Sequence, residues 1–134
     1  MESIHLLHEI WHPHDVFYVH LNANTSPGLL AGLRRAFPQP NIRIANEVQG
    51  CWGCNSLVYI MFLGLHTLLR MSPHWTHATL LSATSFPIRS VAHYRQHLFE
   101  HQGKVFMYPS KLKDTVLKRV TLNWETWLRN DGDQ

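Results

Sequence analysis

Cys51-Trp-Gly-Cys54 is the first place in this 134-residue chain where residue type and spacing could do chemistry. Two thiols at that spacing can share a zinc ion or form a redox disulfide. A structural zinc site needs two more ligands, and the chain has no second cysteine pair. Histidine could supply them, but spacing selects none of the eleven. The simpler reading is a glycine turn with two incidental cysteines. His93, His97 and His101 recur every four residues, which on a helix makes a stripe. Histidine pairs at that spacing can bind zinc, but no HExxH carboxylate lies between them, so a solvated helix face is expected. Asp131-Gly-Asp133 has the form of a metal-holding pair, yet it lies in a polar tail and not after a buried strand. Glu47 alone of the nine acidic residues falls close to an expected strand end, which makes it the one candidate carboxylate for a cleft. The chain has no phosphate-cradling GxxxxGK loop, no GxGxxG and no GxSxG elbow.

Composition narrows the class. The length suits one domain. Hydrophobic residues make up 45% and charged residues 16%, which argues against disorder. Seven Gly, seven Pro and two Cys exclude collagenous and disulfide-framework chains. A net charge of +3, scattered along the chain, gives no case for nucleic acid. No basic region leads into an apolar secretory stretch after Met1-Glu2. The longest apolar run, residues 57–71, is broken by Gly64, His66, Thr67 and Arg70, and falls short of the roughly 20 residues of a membrane span.

The elements that must position these groups follow from periodicity. Ile4, Leu7 and Ile10 or Trp11 predict a short helix before the His12-Pro13 break. Residues 16–21 (VFYVHL) predict a strand. Ser26 looks like an N-cap with Pro27 at the first helical position, and Leu29, Leu30, Leu33 and Phe37 give that helix an apolar face. Residues 42–45 predict a second strand. Asn55 or Ser56 is expected to cap a helix apolar nearly all round to Met71, suited to the middle of a domain. Residues 77–82 are a third strand candidate and 105–108 a fourth. Ser90 is expected to cap a helix between these, with Val91, Tyr94 and Leu98 on one side. Leu112, Val116 and Val120 fit a last helix. Alternation of strands and helices predicts an α/β domain with a mainly parallel sheet, with ligands beyond the strands' carboxyl ends.

Three segments together resemble the core-2/I-branching β-1,6-N-acetylglucosaminyltransferase and peptide O-xylosyltransferase family. His12-Pro-His-Asp-Val-Phe-Tyr-Val-His20 is similar to that family's HPxxxYYIHVD stretch. Cys51-Trp-Gly-Cys-Asn-Ser-Leu57 is similar to its WGGxSL turn. Leu81-Ser-Ala-Thr-Ser-Phe-Pro-Ile-Arg89 is similar to its LSxxDYPI loop. The resemblance runs from about Ile4 to Tyr108.

It implies a Rossmann-like, GT-A-type, three-layer domain that binds a UDP-sugar without a metal or other cofactor. The acceptor it implies is a glycan or glycoprotein, and the setting, in a eukaryote, the Golgi membrane or lumen; in a bacterium the alternative is the cytoplasm. The backbone of Gly50, Cys51 and Trp52 would approach the nucleotide, with Trp52 near the base or ribose or packed under the turn. Asn22 stands where the family places an Asp, and Ser85 where it places the Asp before the aromatic-Pro pair. Asn22 loses charge but adds an amide donor, and Ser85 cannot act as an anionic acceptor. The family's first strand and its catalytic Glu have no counterpart here, so residues 1–134 are expected to be a single partial nucleotide-sugar-binding domain, truncated or diverged and inactive alone. Two other classes stay open: a metal-binding or redox module on Cys51 and Cys54, and a non-catalytic interaction domain whose unpaired sheet edges favour self-association.

Overall fold

A computed structural model describes residues 2–106. The chain divides into a unit of Met1–Gly103 and a unit of Lys104–Gln134, and the fold described is that of the first. Its elements in order are α1 (Glu2–Ile10), β1 (Phe17–His20), α2 (Pro27–Ala36), β2 (Ile42–Ala45), α3 (Asn55–Met71) and α4 (Val91–Glu100). The two strands pair in parallel, Phe17 opposite Ile42 and His20 opposite Ala45. With α2 as the crossover they form a β-α-β unit.

Strand alternation separates two faces. Phe17, Val19, Leu21, Ile42 and Ile44 join the core on one side, where Leu7 of α1, Leu33 of α2 and Phe37 close over them. Burying a side chain of that size contributes roughly 1.5–3 kcal/mol, so this small cluster carries the fold. Leu29 was expected on the same face but is exposed, because only Leu30, Leu33 and Phe37 fall on the stripe facing the strands. On the other side α3 packs against β1, with Gly64 set directly on the Tyr18 ring. The described residues therefore stack as helices, two strands and a helix.

Local signals set the ends. Ser26 Oγ accepts the Leu29 N–H and Pro27 opens α2. Ser90 Oγ accepts the His93 N–H at the start of α4. Asn41 fixes the amino ends of both strands: its Nδ2 donates to the carbonyls of His12 at 3.0 Å and Asp15 at 2.7 Å. The Phe17 N–H then donates to the Asn41 carbonyl, which starts the ladder. Arg95 of α4 forms an ion pair with Asp15 in the same turn.

Three expectations are corrected. Residues 77–82 form no strand, and Leu80 is exposed. A strand is defined by a partner, and the alternation of apolar residues there meets no neighbouring ladder. Of the expected strand at 105–108, residues 105–106 are not in a strand, while 107–108 and the helix around Leu112–Val120 lie outside the described residues. The helix at 55–71 is not enclosed. Gly64 is its only buried residue among those described, and Val58, Tyr59, Phe62 and Leu69 face outward because the β1 side alone covers it.

Candidate functional site

The carboxyl ends of β1 and β2 lead into two loops that meet. The ladder continues one step past the strands through Leu21 N–H to the Ala45 carbonyl, at 2.8 Å. Beyond it, the Asn22 side chain reaches the second loop, where its Oδ1 accepts the Gly50 N–H at 2.7 Å. Residues 28 apart in sequence are thereby held in one place. The Asn22 carbonyl accepts the Thr25 N–H, which fixes the residue from its own loop as well. Asn22 is exposed, and its side-chain amide N–H groups remain available to a ligand.

The absence of a side chain at Gly50 suits this close approach. A Cβ there would lie 3.0 Å from Asn22 Oδ1, 3.2 Å from Ile60 Cδ1 and 3.3 Å from Leu57 Cδ2. The turn continues with Cys51 and Cys54 joined to each other as a disulfide, which corrects the reading of two incidental cysteines. Gly53 supplies the left-handed backbone, φ +78°, that closes so short a loop. The Cys51 N–H donates to Ser56 Oγ at 3.0 Å. Ser56 is thus spent on the turn, and Cys54, not Asn55 or Ser56, stands at the helix N-cap without a side-chain cap bond. Trp52 is 90% exposed, so its ring stands clear and does not pack beneath the turn.

The face of β1 opposite the core carries two polar side chains that sequence reasoning did not single out. Tyr18 and His20 alternate onto the face of β1 opposite the core, a placement the period of two carries in the sequence. Tyr18 OH and His20 Nε2 are buried without a hydrogen-bond partner in the protein. Burial raises the Tyr18 pKa above its ordinary value, helped by the Glu47 carboxylate and Tyr59 and opposed by the Arg43 guanidinium. Glu47 does reach this end of the sheet, where it pairs with Arg43 at 3.4 Å. Both partners are more than half exposed, so the pair adds little stability.

Ser85 is placed differently. Its hydrogen bonds stay within residues 82–85: its Oγ accepts the Ser82 N–H and contacts Ser82 Oγ at 3.1 Å, and its N–H donates to the Ser82 carbonyl. No bond joins it to Asn22 or to the Gly50–Trp52 turn. A groove of about 460 Å³ lies at the amino end of β1, between Trp11, His12 and the α4 residues Arg95 and Phe99. It is open, and its arginine is already engaged by Asp15. Loops that converge beyond strand carboxyl ends are the better candidate. The rings of His97 on α4 and His101 at its C-cap lie 4.4 Å apart, and among the described residues no three His, Cys, Asp or Glu side chains come together to hold a metal. No described helix is long and apolar enough to cross a membrane.

Fold and site together describe an α/β unit whose two loops at the strands' carboxyl ends are joined by a hydrogen bond. The chain belongs to the core-2/I-branching enzyme family, whose model matches residues 2–125. It is 29% identical over 103 residues to a xylosyltransferase of Ciona intestinalis, across 76% of this chain. It is 26% identical over 109 residues to the xylosyltransferase oxt of Drosophila melanogaster, across 80% of this chain. The match spans 12% of the length of each of these relatives. No solved structure matches the chain. The chain is therefore glycosyltransferase-like.

Proposed function

We propose that this domain is the nucleotide-sugar-binding part of a UDP-sugar-dependent glycosyltransferase of the GT-A type, with a glycan or glycoprotein as acceptor. The observation that carries the reading is the bond from the Gly50 N–H to Asn22 Oδ1, which joins the two loops at the carboxyl ends of adjacent parallel strands. In this reading Asn22 offers its amide N–H groups to the uracil or ribose. Gly50 and Cys51 bring bare backbone close to the nucleotide, and the exposed Trp52 face stacks on it. Ser85 would join only if the 82–85 turn lies along the sugar. The donor is bound through hydrogen bonds and stacking, without a metal.

Transfer to a hydroxyl needs a general base within hydrogen-bond reach of that hydroxyl. Glu47 is the one carboxylate among the described residues at this end of the sheet, and it is engaged by Arg43. Donor binding is the part of the reaction that the described residues are expected to carry. Titrating UDP into the purified chain by calorimetry tests the binding. Saturable heat that weakens in Asn22→Leu is expected, and no heat up to millimolar UDP with the fold intact removes the reading.

A further inference from the structure

We propose that the Cys51–Cys54 disulfide is a thiol-exchange site that switches the Gly50–Trp52 turn between an ordered and a loosened form. The switch itself needs no nucleotide, but its consequence for binding rests on the donor-site reading above. Residues 51–54 are all exposed, and both sulfurs belong to exposed residues. The turn has no buried apolar anchor, since Trp52 is 90% exposed. Its other restraints are hydrogen bonds: Gly50 N–H to Asn22 Oδ1, Cys51 N–H to Ser56 Oγ, Ser56 Oγ–H to Cys51 Sγ, Cys54 N–H to the Cys51 carbonyl and Leu57 N–H to the Cys54 carbonyl. Glycines at 50 and 53, the latter at φ +78°, give the open chain more backbone freedom than any other residue would. The disulfide is therefore the one covalent restraint on the segment that carries Gly50 and Trp52.

The co-reactant is a small-molecule thiol of the glutathione class. Its thiolate attacks Cys51 Sγ, the Cys51–Cys54 bond breaks, and Cys54 leaves as a thiolate that takes up a proton. Cys54 is the better leaving group because it stands at the N-cap of α3, where the helix terminus stabilises negative charge. A second thiolate attacks the sulfur of the bound co-reactant in the mixed disulfide. Cys51 leaves as a thiolate and takes up a proton. The protein pair gains two electrons and two protons, and the two thiols become one disulfide. Exposure of the bond places it among the labile kind.

Amide hydrogen exchange on the whole chain, oxidised and after equilibration with reduced glutathione, tests the switch. Mass spectrometry follows the thiol count alongside. The expected result is complete, reversible reduction and exchange at the Gly50 and Cys51 amides about tenfold faster or more, with β1 and β2 unchanged. The Cys51→Ser/Cys54→Ser double variant should exchange like the reduced chain, with or without thiol. Resistance to millimolar glutathione, or equal exchange in both forms, overturns the proposal. In a parallel arm, UDP affinity that falls on reduction supports the link to binding, and UDP affinity unchanged by reduction overturns that link. Absence of UDP binding in both forms refutes the donor-site reading, while the exchange data still decide the switch.

Discussion

Replacing Gly50 by alanine tests how tightly the two loops are joined. The added methyl would meet Asn22 Oδ1 at 3.0 Å, Ile60 Cδ1 at 3.2 Å and Leu57 Cδ2 at 3.3 Å. The two methyls can give by a few tenths of an ångström. Asn22 cannot easily do so, because the N–H that holds it belongs to residue 50 itself. Relief therefore lengthens that bond. Weakening one neutral hydrogen bond costs about 1 kcal/mol. Crowding the Leu57 and Ile60 side chains costs about 1 kcal/mol more. Lower entropy of the unfolded chain returns about 0.4–1 kcal/mol. The net loss is about 1 kcal/mol, which shifts a urea midpoint by about 0.5 M for a chain of this size. Gly32→Ala is the control: it sits inside α2 with nothing within 4 Å of its added Cβ. There the better helix propensity should stabilise by up to about 1 kcal/mol. Urea unfolding followed by far-UV circular dichroism reads both. If Gly50→Ala proves as stable as Gly32→Ala, the close approach of the loops is wrong.

Two further outcomes follow from the β1–α3 contact. Gly64→Ala would place a Cβ 2.9 Å from Tyr18 Cδ1, so it should destabilise by about 1–2 kcal/mol despite its better helix propensity, read as a lower urea midpoint. Tyr18→Phe removes a buried hydroxyl that has no partner in the protein, and should leave stability at neutral pH unchanged or higher. The Tyr18 pKa is raised in the folded state, so its contribution is complete below the ordinary tyrosine value of 10.0 and is lost as pH rises through the folded value. Alkaline unfolding curves should accordingly fall less steeply for Tyr18→Phe than for the wild type, and parallel curves would refute the assignment.

The β-α-β unit was legible because its signals are local. Ser26 and Ser90 cap as their hydroxyls and positions suggest, and the alternation in residues 17–21 separates the core face from the Tyr18–His20 face. What was not legible depends on partners distant in the chain. Residues 77–82 have the composition of a strand but no ladder to join. The outer face of α3 reads as core from its residues, yet Phe62 and Leu69 face outward. At the site, the sequence placed Asn22 and the Gly50–Trp52 turn in loops, and the fold brings them within one hydrogen bond. It could not say that Cys51 and Cys54 would bond to each other and not to a metal, since the spacing allows both. Ser85 was placed with them by resemblance to a motif, and its hydrogen bonds keep to its own turn.

The central claim is that the joined loops carrying Asn22, Gly50 and Trp52 take the nucleotide. Its most direct test is a titration of the isotope-labelled chain with UDP, followed by amide and indole chemical shifts. The account predicts saturable shifts at Asn22, Gly50, Cys51 and the Trp52 indole N–H, with little change around Trp11 and Arg95. Shifts confined to the groove at the amino end of β1, or none up to millimolar UDP, would contradict it.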